Sequence, residues 1–109
     1  MAKRVANQDA RRYVQNLEEF QGSNTFAVWK TVPGDVSRYV VYSYSQHWPL
    51  FIYEDGKWYE NADKYSRTTS KHCSQLHPLC DTERRSASDM VDIALYGVAE
   101  WVQRKLRAA

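Results

Sequence analysis

From residue 4 to 21 apolar side chains recur at three- and four-residue steps: Ala6, Ala10, Tyr13, Val14, Leu17 and Phe20. That spacing lines one face of a helix. Arg11, Gln15, Glu18 and Glu19 take the other side. Gly22-Ser23-Asn24 is expected to stop it, since glycine accepts the left-handed cap. The next forty residues change period. Thr25 to Thr31, Arg38 to Tyr44, Leu50 to Glu54 and Lys57 to Glu60 are short runs rich in β-branched and aromatic residues, and each predicts a strand. Pro33-Gly34-Asp35 predicts a turn between the first two, and Asp55-Gly56 a two-residue hairpin between the last two.

Residues 61–85 have no clean period and are polar and hydroxyl-rich. A short helix capped by Thr69 or Ser70 fits there, ending at His77-Pro78. Residues 88–107 predict a second long helix with Ser86 or Ser88 as cap. Asp89 and Asp92 stand in its first turns and Arg104, Lys105 and Arg107 in its last, which suits the helix dipole. Val91, Leu95, Val98, Trp101, Val102 and Leu106 form its apolar stripe. The expected fold is α+β: an N-terminal helix, a four-stranded antiparallel meander, a polar loop or short helix, and a long C-terminal helix. Both long helices would cover one sheet face and leave the other partly wet.

Composition narrows the class. The 109 residues suit a single domain, 1–109, with one core. Hydrophobic residues at 43% and charged residues at 26% are globular values. Four Trp, eight Tyr and three Phe exceed what one small core needs, so a sticky aromatic face is expected. Tyr42 and Tyr44 would share one side of their strand and Tyr39 and Val41 the other. The net charge of +2 excludes a strongly acidic DNA mimic and does not favour a strongly basic nucleic-acid binder. No secretory signal and no membrane span is read, and two cysteines imply no disulfide framework, so a reducing cytoplasm is expected.

The middle of the chain carries a recognisable run. Val41-Tyr42-Ser43-Tyr44 is followed by His47 and Pro49, then Trp58 and Asn61. Asp63-Lys64-Tyr65-Ser66 and Thr68-Thr69-Ser70-Lys71-His72 complete it. This stretch resembles a small domain of uncharacterised phage and plasmid proteins. The resemblance implies an origin in a mobile genetic element and hence a bacterial host cytoplasm. It also marks His47, Tyr65, Ser66, Thr68, Thr69 and His72 for attention. In that family a glutamine usually follows the last histidine, where this chain has Cys73. No activity comes with the resemblance.

Three chemistries can be drawn from the residues. Lys64, Arg67 and Lys71 are interleaved with Ser66, Thr68, Thr69 and Ser70, without an acid. Fixed cations and hydroxyl donors suit phosphate, and Tyr65, Trp58 or Trp48 could stack a base. The plainer account is a hydroxyl-capped helix with solvated cations. Second, His72, Cys73, His77 and Cys80 are the weak candidates for a metal, although no Cys-x-x-Cys pair is present. Third, Cys73 with His47 and Asp63 would make a nucleophilic triad only on paper. No phosphate-cradling glycine loop or carboxylate pair appears, so no enzyme and no cofactor is expected. The leading expectation is a protein-binding accessory module contacting a host or element-encoded protein, with His47, Trp48 and the 64–72 segment as its contact residues. Nucleic acid is the alternative partner, served by that segment and by Lys3, Arg4, Arg11, Arg12, Arg104, Lys105 and Arg107 if these converge. A metal-dependent or Cys/His enzyme using His47, His72, His77 and the two cysteines is the third reading. A homodimer through a sheet edge or the aromatic face is possible, and no membrane partner is expected.

Overall fold

The computed structural model describes residues 3–22, 24–31, 36–43, 48–63, 72 and 75–108. The order is β1 (Lys3–Arg4), α1 (Asn7–Gln15), β2 (Phe20–Gln21), β3 (Thr25–Lys30), β4 (Arg38–Ser43), β5 (Pro49–Glu54), β6 (Lys57–Asn61), β7 (Glu83–Arg85), α2 (Ala87–Tyr96) and α3 (Val98–Ala108). His72, Gln75 and Leu76 are helical and His77 and Pro78 are not, which is the helix end read from His77-Pro78. Its start lies outside the described residues.

The α+β class holds, and the four predicted strands are present as β3 to β6, an antiparallel meander. The sheet is larger than expected. Among the described residues it has seven strands in the order β1 to β7. The added strands are two or three residues long, and β1–β2 and β6–β7 pair in parallel. Such short runs carry no alternation, so only tertiary pairing reveals them. Both outer strands are very short and charged, which gives another chain little edge to pair with. The Asp55-Gly56 hairpin forms as read, with both residues at positive φ.

The first helix is shorter than its pattern. It stops at Gln15, and the chain turns through Leu17 at φ 57, where the Leu17 and Glu18 N–H groups bond back to Val14 and Tyr13. Phe20 therefore reaches the core from a strand, not from the helix. The apolar pattern continued because α1, the turn and β2 all face the same cluster. Ala10, Val14, Phe20, Ala27, Tyr39, Val41, Phe51 and Leu76 are buried together there.

The other sheet face is covered too, which corrects the expected wet face. Val40, Tyr42, Ile52 and Tyr59 pack with Met90, Ile93 and Ala94 of α2. α1 thus lies on one side of the sheet and α2 with α3 on the other. Every residue of β4 is buried, and its unbroken Tyr39–Tyr42 apolar run is what a strand covered on both faces looks like. The surplus aromatics are consumed by both layers, Tyr39 and Trp58 on the α1 side and Tyr42 and Tyr59 on the α2 side. Tyr39, Tyr42, Trp58 and Tyr59 are all core, so the aromatic docking face is not formed by β4.

The second long helix is two helices. Gly97 breaks it at φ 91. A Cβ there would lie 2.4 Å from Nη2 of Arg38. Arg38 and Glu54 are buried at 1% and 8% exposure and joined at 3.1 Å. The Glu54 carboxylate also accepts the first N–H of α3, from Val98, at 3.3 Å. Glycine is needed for both the backbone angle and the close approach. Breaking the helix resets its phase. Met90, Ile93 and Ala94 face the sheet, whereas Leu95, Val102 and Leu106 of the predicted stripe stay 55%, 41% and 66% exposed. Ser86 caps α2, accepting from the Asp89 N–H as anticipated.

Candidate functional site

β4 ends, β5 begins and β6 ends at one side of the meander. Antiparallel pairing brings Ser43, Pro49 and Asn61 to that single end. A hydrogen-bond clasp joins them. The Ser43 N–H donates to the Trp48 carbonyl at 3.1 Å, and Ser43 Oγ meets His72 Nδ1 at 2.8 Å. Asn61 donates from Nδ2 to the Pro49 carbonyl at 2.9 Å, and its Oδ1 accepts the Asp63 N–H at 2.9 Å. Asp63 in turn accepts the Ala87 N–H at 2.8 Å, tying the start of α2 to the same place. Ser43, Asn61 and His72 are almost fully buried, so each bond is worth more than at a surface.

Several residues of the sequence run are therefore anchors. Ser43, Pro49, Asn61, Asp63 and His72 fix the points at which two segments join the described fold. His47, Lys64, Tyr65, Ser66, Arg67, Thr68, Thr69, Lys71 and Cys73 lie outside the described residues. Trp48 is described, half-buried, and packs against the α1-side core. His72 is 3% exposed and hydrogen-bonded to Ser43, so it is a buried anchor and not an exposed contact residue.

The remaining chemistry is dispersed. His77 Nδ1 accepts the Leu79 N–H at 2.9 Å, so neutral His77 carries its proton on Nε2 and donates it to Glu60 at 3.2 Å. Thr82 donates to the same carboxylate oxygen at 2.7 Å. Sequence reasoning missed this cluster, because Glu60, His77 and Thr82 are brought together only by the β6–β7 pairing. Cys80 is exposed, and desolvation followed by neighbouring Asp81 pushes its thiol up, which keeps it protonated and a poor nucleophile or ligand at neutral pH. Among the described residues no three His, Cys, Asp or Glu side chains converge on a metal-sized site. Beside Cys80 a cleft of about 520 Å³ runs over Gly56, Trp58 and Thr82, with the ion pair of Lys57 and Glu83 on its rim. The basic termini do not combine across the fold, since α1 and α3 sit on opposite sides of the sheet. Lys105 pairs with Asp89 at 2.9 Å, and Arg104 and Arg107 with Glu100.

A model for a family of unknown function (DUF8033) matches residues 3–92. The chain belongs to that family. The match takes in α1, the whole sheet, the clasp and most of α2, and it stops before α3. No curated protein and no solved structure matches the chain. No helix among the described residues is long and apolar enough to cross a membrane. The DUF8033 segment thus includes the Ser43–His72 clasp, while Val102 and Leu106 lie beyond it.

Proposed function

We propose that this chain is a protein-binding module acting by contact and not by chemistry. One observation carries the reading. With both sheet faces filled, four of the large apolar side chains that remain exposed belong to the α2–α3 pair: Leu95, Tyr96, Val102 and Leu106. Exposed large apolar side chains gathered on one pair of helices are what an interaction surface presents. The partner in this reading is a host factor or a protein of the mobile element suggested by the resemblance, blocked or recruited sterically. The test is affinity capture from bacterial lysate after nuclease treatment, with wild type beside Val102→Glu and Leu106→Glu. A specific protein captured by wild type and lost with either variant is the expected result. Capture that neither variant alters would remove the reading.

A phosphate-binding role for Lys64–His72 is the second reading. It is favoured by the anchoring of that segment at both ends, through Asp63 and His72, to one end of the sheet. Nucleic-acid binding should then fall steeply with salt, and Arg67→Ala and Lys71→Ala should each lower the salt slope by ~1. Affinity indifferent to salt would exclude it.

A further inference from the structure

We propose that the outer side of α3 receives an acidic, amphipathic helix of a partner protein. This names the partner class for the protein-binding reading above and rests on it.

The two sides of α3 are used differently. Trp101, Arg104 and Lys105 are spaced i, i+3, i+4 and so share a side. That side is spoken for. Arg85 lies 5.2 Å over the Trp101 ring, Arg104 lies 4.0 Å over the Tyr96 ring, and Lys105 is paired with Asp89. Ala99, Val102 and Leu106 are spaced i, i+3, i+7 and form a second stripe. All three are exposed, Leu106 at 66%. A straight ridge of this kind is the surface against which a second helix packs, ridge into groove. The eleven residues of α3 span ~16 Å, the length of about three turns of a partner.

Charge selects among occupants. On a helical projection the stripe is flanked by Lys105 on one side and by Gln103, Arg107 and Glu100 on the other. Arg104, Lys105 and Arg107 outnumber the two carboxylates that pair them, Glu100 and Asp89, so this side keeps a net positive charge. A second copy of this chain would bring the same cations to the same flanks, so self-pairing is opposed. A bilayer surface is a poor fit, since the stripe has three modest apolar side chains and its one tryptophan, Trp101, is turned toward Arg85. An apolar stripe bordered by carboxylates is complementary on both counts. The site lies outside the family-matched segment, residues 3–92.

The test titrates the isotope-labelled full chain, followed by amide shifts, with a helix-forming probe of ~14 residues carrying leucines on one face and glutamates beside them. A matched probe has lysines in place of the glutamates. The expected result is that the acidic probe shifts Ala99, Val102 and Leu106 and binds roughly tenfold more tightly than the basic one. Leu106→Glu should abolish binding with an unchanged circular dichroism spectrum, because Leu106 is exposed. Equal affinity for the two probes, shifts confined to other elements, or binding only to phosphatidylserine-containing vesicles would each overturn the proposal. Two results separate it from the broader reading. If neither probe binds while a lysate partner is still lost with Leu106→Glu, the acidic helix is wrong and the docking face survives. If Leu106→Glu leaves lysate capture intact, the docking face itself is lost.

Discussion

The two ends of the meander solve the same problem with opposite chemistry. At the end formed by Arg38 and Glu54 a full ion pair is buried beneath Gly97, and its carboxylate also holds the α3 N-terminus. At the other end Ser43 is hydrogen-bonded to His72, and Asn61 to the Pro49 carbonyl. A buried ion pair tolerates no missing partner, because the survivor is left charged in a poor solvent. Removing an uncharged member such as Ser43 or Asn61 loses a bond and leaves one desolvated group. The charged end is therefore a lock on the helix break. The other end is a clasp whose uncharged members can each be lost at smaller cost to the fold.

Glu54→Ala should break the lock most severely. It removes the buried carboxylate that Arg38 pairs with and uncaps Val98, and the expected loss is about 3–5 kcal/mol in urea unfolding. A loss below ~1 kcal/mol would mean that water reaches Arg38 freely. Gly97→Ala attacks the same lock through the backbone. The φ of 91 and the approach of Arg38 predict a loss of about 2–3 kcal/mol, read in the same assay. Both variants should release α3 before the sheet, visible as faster hydrogen exchange over Val98–Ala108 than over β4.

At the clasp, Ser43→Ala should cost about 1–2 kcal/mol, less than either change at the lock. If it costs as much as Glu54→Ala, the distinction between the two ends fails. The smallest effect concerns pH. Burial, the largest influence on Asp89, pushes its carboxyl up, but Lys105 and Ser86 outweigh it, and the group sits below its ordinary value. A carboxyl whose folded pKa is depressed stabilises the fold above its unfolded pKa, near ~4. That contribution disappears as pH falls through the lower folded value. Asp89→Asn should flatten this acid limb and leave stability near neutrality slightly lower, measured as melting temperature against pH. An unchanged acid limb would show that Lys105 contributes nothing to α3 docking.

The candidate site was partly legible. The run from Val41 to His72 contains Ser43, Asn61 and His72, yet nothing in it marked them as buried members of one hydrogen-bonded clasp. Ser43 and Asn61 look like ordinary strand residues until the antiparallel register sets them beside Pro49 and His72. The cluster of Glu60, His77 and Thr82 had no local signature, since its members are spread over 23 positions from 60 to 82 and joined by a parallel strand pair.

By itself the sequence determined the four central strands, the Asp55-Gly56 hairpin, a serine cap at position 86 or 88 and most of the apolar positions of the α1 side. These follow from local propensities and periods, which each residue carries wherever the chain goes. Tertiary structure alone decided that the sheet is covered on both faces, that β1, β2 and β7 exist, and that Gly97 divides the last helix. Each depends on a partner distant in sequence. An exposed aromatic strand and one buried twice have the same alternation until a second layer arrives. A glycine inside a helical pattern becomes a break only when Arg38 and Glu54 occupy the space its missing side chain leaves.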